Sequence, residues 1–123
     1  MRATPPKNLN LLTIRLPLPA IVSILHRLSG LVLFLLIPLM LWGLRSSLTA
    51  EGFDAFRHAL LDDRTKFLIW LLLIPLVYHI AAGIRHLLSD IRIGNSRRGG
   101  QVSAVIVFSV VLVVMLLIGI LLW

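Results

Sequence analysis

The sequence predicts an all-α integral membrane protein, a single membrane domain over residues 1–123 with three transmembrane helices, on three observations. Hydrophobic residues fill 59% of the chain and its mean hydropathy is +0.99, where soluble domains are about half apolar. Three apolar runs, at about 20–44, 67–88 and 102–123, are each long enough to cross the ~30 Å hydrocarbon core of a bilayer. The charged residues sit mainly between those runs, where they read as topology determinants. A net charge of +7 would suggest nucleic acid in a soluble protein, but with this pattern no nucleic-acid role is expected. The lack of cysteine in the chain excludes disulfides, thiolate catalysis and iron–sulfur ligation within it. Any redox centre must hang on histidine or be borrowed from another polypeptide.

Residues 1–19 carry Arg2, Lys7 and Arg15 without an acid, and Pro5, Pro6, Pro17 and Pro19 discourage helix. They read as a basic, extended arm, since the long apolar run behind them and the missing small-residue cleavage pattern make a poor signal peptide. The first span, about Ala20 to Leu44, opens with Ser23, His26, Arg27 and Gly30 along one side and then becomes apolar, with a bend expected at Pro38. Residues 45–66 are a polar connection in which Phe53, Phe56 and Leu60 predict a short helix lying on the membrane surface, with His58 solvated. The second span, about Phe67 to Leu88, leads into Ser89 and Asp90. A basic loop over 89–101 follows, with Arg92, Arg97, Arg98 and the pair Gly99-Gly100. The third span, about Val102 to Trp123, carries no charge; Ser103, Ser109 and Gly119 read as packing residues and Trp123 as an interfacial anchor.

On a helix turning about 100° per residue, His79, Gly83, His86 and Asp90 fall on one stripe of the second span. Ionisable groups at such depth are expensive, so they face a partner helix, a cofactor or a water-filled cavity. An imidazole one turn from a residue without a side chain leaves room for a flat cofactor against the backbone, the arrangement a membrane haem needs. His79 is the candidate axial ligand. His86 projects from the same face and would meet the same side of the ring, so it cannot be the opposite ligand. His26 could reach across from the first span, but beside Arg27 near the interface, charge-assisted contact with the haem propionates is the more natural use of both. The second axial histidine is therefore expected from another polypeptide. Arg85 points away from the stripe, toward headgroups or a neighbouring subunit.

Ser23 and Arg27 lie four residues apart and offer a hydroxyl and a guanidinium on one face at the rim of the bilayer. They suit the carbonyl oxygens of a quinone held in an apolar slot, although a serine at a helix start is more often a cap or a packing residue. The arm and the second loop hold six Lys or Arg against four in the first loop, which predicts a cytoplasmic N-terminus. The His26–Arg27 pair and His79 then share one leaflet.

Ser23-Ile24-Leu25-His26-Arg27-Leu28-Ser29-Gly30 and His79-Ile80-Ala81-Ala82-Gly83-Ile84-Arg85-His86-Leu87-Leu88-Ser89-Asp90 together resemble the two signatures of the cytochrome b subunit of succinate dehydrogenase. The pattern is Ser-x-x-His-Arg-x-Ser-Gly followed by His-x-x-x-Gly-x-Arg-His-Leu-x-x-Asp, and both halves are complete. The resemblance covers nearly the whole chain, with a departure in the arm, where Pro6-Lys7-Asn8-Leu9-Asn10 replaces the family's usual opening. It implies a haem b subunit of the bacterial inner membrane that forms half of a haem-binding bundle with a second hydrophobic anchor subunit. It further implies an iron–sulfur subunit and a flavoprotein subunit on the cytoplasmic face, passing electrons from succinate to ubiquinone. By position, His79 resembles the axial haem ligand, with the second ligand from the partner anchor. Ser23 and Arg27 resemble the quinone-site residues, and His26 and Arg27 the propionate contacts. His86 and Asp90 belong to the signature without an assigned role.

Two other readings compete. A haem-free structural anchor or assembly protein predicts colourless material. A proton conductor through His79, His86 and Asp90 would need polar lining in the third span, which has none. Without a flavin-binding glycine motif or a soluble domain to carry one, the chain is not expected to be an enzyme on its own.

Overall fold

The computed structural model describes residues 16–94 and 96–123 and forms them into four helices: α1 (Leu18–Ser46), α2 (Ala50–Ala59), α3 (Asp63–Asp90) and α4 (Arg97–Leu122). The arm expected over 1–19 lies outside the described residues as far as residue 15. Its last two prolines start α1 instead of discouraging it. Pro17 is extended at the N-cap and Pro19 sits in the first turn, where a missing N–H costs nothing and the fixed φ suits a helix. Thr49, Asp62 and Ser96 cap α2, α3 and α4, accepting from the backbone N–H groups of Gly52, Thr65 and Gly99. Pro38 and Pro75 lie inside α1 and α3, and both helices continue past them.

At 29, 28 and 26 residues, α1, α3 and α4 are long and apolar enough to cross a membrane, each about 40 Å at 1.5 Å per residue. The expected all-α, multi-pass membrane fold is therefore present. α1 and α4 each run antiparallel to α3, and the three helices pack against one another. α2, the short helix of the polar connection, buries no residue, and His58 is exposed on it.

Where α1, α3 and α4 meet, Val22, Tyr78, Ala82, Ala104 and Val107 form the buried cluster, flanked by Leu25 and Phe108. Ala82 and Ala104 are completely buried, small side chains that let helix backbones approach within a membrane. The Tyr78 ring tilts against Phe108, and its hydroxyl donates to the Val22 carbonyl at 3.1 Å. At the other end of the bundle the Trp70 indole donates to the Met115 carbonyl at 2.9 Å. Arg85, expected to point to headgroups or a neighbouring subunit, leans on α4 of its own chain, where Nε donates to Ser103 Oγ at 3.0 Å and Nη2 to the Gly100 carbonyl at 3.4 Å. Ser103 thus serves as a polar partner, a role that packing alone did not suggest. Tyr78→Phe, which leaves the packing and removes one buried donor, is expected to cost about 1 kcal/mol and to lower the thermal midpoint of the purified membrane complex.

Six apolar residues and Ser29 make up the buried set among the described residues, while side chains such as Phe34, Met40 and Trp42 stand about two-thirds exposed. An aqueous domain could not carry such a surface, and a lipid-facing helix normally does.

Candidate functional site

The site lies between the first half of α1 and the second half of α3. His79 reaches from α3 to α1, with Nδ1 at 3.0 Å from Ser29 Oγ and 3.2 Å from the His26 carbonyl oxygen. The Ser29 hydroxyl donates to that same carbonyl at 2.8 Å. A carbonyl only accepts, so the bond to His26 O places the proton of His79 on Nδ1. Nε2, which has no hydrogen-bond partner among the described residues, keeps its lone pair. A histidine whose Nδ1–H is fixed by a carbonyl is prepared to ligate a metal through Nε2.

His26 enters from the opposite helix. Its ring stacks on His79 with centroids 4.2 Å apart and an interplanar angle of 19°, and on His86 at 4.9 Å and 20°. Three nearly parallel imidazoles therefore form one column, the outer two from α3 and the middle one from α1. His86 Nδ1 donates to the Ala82 carbonyl at 2.7 Å, fixing that ring as well.

The glycines complete this interlock. A Cβ on Gly30 would stand 3.1 Å from His79 Cε1, and one on Gly83 would stand 3.4 Å from His26 Nε2. Each helix thus supplies the bare backbone over which the other helix lays an imidazole. His26 lies over Gly83, the bare backbone beside which the sequence predicts room for a flat cofactor. Gly30→Val is expected to push the His79 ring off Ser29 and destabilise the bundle by about 1–3 kcal/mol. Gly83→Ala, which meets His26 at ordinary contact distance, is expected to be tolerated. Thermal unfolding of the two variants side by side checks the contrast.

The predicted site residues divide into two groups. His79 and His26 are in direct contact, and since His79 touches the His26 carbonyl, Arg27 lies at the same level of the bundle. Arg27 is exposed and makes no salt bridge among the described residues; Ser23 is partly buried one turn earlier on α1. Asp90 is exposed at the end of α3 and does not join the histidine column. Sequence reading gave no task to Ser29, although it is the buried polar residue that holds His79. Its signal was its place one turn after His26 and one residue before Gly30 within the first signature. No cluster of three or more His, Cys, Asp or Glu positioned to hold a bare metal ion occurs among the described residues.

Three apolar helices, with an imidazole column between α1 and α3, define a multi-pass membrane protein. Residues 1–118 match the family described as succinate dehydrogenase/fumarate reductase transmembrane subunit. The succinate dehydrogenase cytochrome b556 subunit of Coxiella burnetii (strain RSA 493 / Nine Mile phase I) is 40% identical over 125 residues, covering 100% of both chains. The protein of the same name from Paracoccus denitrificans is 35% identical over 126 residues, covering 95% of this chain and 92% of its own. The chain belongs to the succinate dehydrogenase/fumarate reductase transmembrane subunit family, as the two signatures indicated.

Proposed function

We propose that this chain is the membrane-anchor haem b subunit of a succinate dehydrogenase, with His79 as one axial ligand through Nε2 and the second axial histidine supplied by a partner anchor subunit. The observation that carries this reading is the 3.2 Å contact of His79 Nδ1 with the His26 carbonyl, which fixes the tautomer a ligand needs. The residues present fit the group: His79 offers a free nitrogen lone pair, and the His26–Arg27 pair stands at its level for the propionates. Haem b supplies a one-electron iron centre suited to electron transfer when both axial positions are histidine. Ser29 and the His26 carbonyl keep the His79 ring from rotating, and Gly30 lets it lie close to α1.

Ser23 and Arg27 are assigned to ubiquinone, as donors to a carbonyl oxygen. Their one-turn spacing on α1 and the exposure of Arg27 support this, since a lipid-soluble substrate enters from the side of the bundle. The partners are the second anchor, an iron–sulfur subunit and a flavoprotein subunit, the latter two carrying the chemistry of succinate. The excess of Lys and Arg in the arm and the 89–101 loop favours a cytoplasmic N-terminus in a bacterial inner membrane. A reduced-minus-oxidised spectrum of the purified complex tests the proposal. A b-type haem in stoichiometric amount with this chain is expected, and colourless material would favour a purely structural anchor.

A further inference from the structure

Beyond the histidine column, on the side of α3 that faces α4, two clefts run into one another. The first, of about 590 Å³, lies at the junction of α1, α3 and α4 and is lined by Arg85, Ser89, Ser96, Arg97 and Gln101 among others, with no acidic residue. The second, of about 390 Å³, continues along the α3–α4 seam between Ile84, Leu88, Ile93, Ile106 and Val110 and is almost wholly hydrocarbon. Arg85, Ser89 and Gly94 line both. A basic, hydroxyl-rich cup thus opens directly into an apolar groove running along the membrane-spanning helices.

We propose that these joined clefts bind one anionic phospholipid, its phosphate at Arg85 and Arg97 and an acyl chain along the α3–α4 groove. Charge complementarity argues for this occupant. Neither arginine has a salt-bridge partner among the described residues, and an arginine fork recognises phosphate oxygens by charge-assisted hydrogen bonds. Arg85 is also held in place: Nε and Nη2 bond Ser103 and Gly100, and its remaining N–H donors are unused among the described residues. Its head is therefore oriented before any ligand arrives, which lowers the entropic cost of binding. The hydroxyls of Ser89 and Ser96 are at hand in the cup, whereas a peptide helix in the groove would leave the two cations unmatched. A free phosphate would leave the groove empty.

The test is lipid retention by the purified complex after detergent exchange, read by native mass spectrometry. Arg97→Glu changes an exposed side chain and is not expected to disturb folding, and Ile106→Trp fills the groove while leaving both arginines in place. Each is expected to lose one retained anionic phospholipid, with affinity for added phosphatidylglycerol falling on the order of tenfold and no binding gained for phosphatidylcholine. Equal retention in wild type and both variants would overturn the proposal. So would displacement of phosphatidylglycerol by excess inorganic phosphate, the mark of an ion site, or crosslinking of the groove to a protein segment.

Discussion

A complex carrying His79→Leu is expected to assemble without b-type absorbance. Leucine fills much of the imidazole volume but has no lone pair, and the other histidine on the same face of α3 is not placed to substitute. His86 is fixed on the Ala82 carbonyl and separated from His79 by the His26 ring. Haem per flavin, read from the reduced-minus-oxidised spectrum, should fall by at least about tenfold, since even losing an outer partner of a ligand typically costs about 10–100-fold in affinity. Ser29→Ala is the informative companion. It removes the hydroxyl but leaves the His26 carbonyl to hold Nδ1, so haem should be retained, more weakly. Full haem content in His79→Leu would remove the electron-carrier reading altogether.

Arg27→Ala is expected to separate quinone reduction from succinate oxidation. A guanidinium bonded to a quinone oxygen contributes about 1.5–3 kcal/mol, or roughly 10–100-fold in rate if the bond matters in the transition state. Quinone reduction should fall by that factor while succinate oxidation by a soluble artificial acceptor, which bypasses the membrane, stays near its original rate. Arg27 is exposed, so its loss leaves no cavity. Equal losses in the two assays would mark a failure of assembly and withdraw the quinone assignment.

The membrane class and the pairing of the two signatures were legible because hydropathy and helical spacing act locally. The 79, 83, 86 stripe needs only the helical repeat, and the meeting of that stripe with His26 follows once two antiparallel helices share a level. What sequence could not supply was which backbone group each ring would touch. The role of Ser29 depends on a contact across 50 positions, and that of Arg85 on α4 bringing Ser103 and Gly100 beneath it. Spacing along α3 alone could not name those partners of Arg85, because the rotation of α4 about its axis has no signal in α3. That His26 lies over Gly83 was hidden for the same reason: a glycine announces a close approach without saying what approaches.

The mutual seating of His79 over Gly30 and of His26 over Gly83 works like two keys cut for each other's locks. Sliding α1 against α3 by one turn would bring residues with side chains onto both rings, Arg27 or Leu33 in place of Gly30 and Ile80 or His86 in place of Gly83, so the two notches select one alignment of the pair. Lengthening the 45–66 connection leaves that alignment untouched. A single residue inserted between His26 and Gly30 would swing the second notch by about 100° and unmake it.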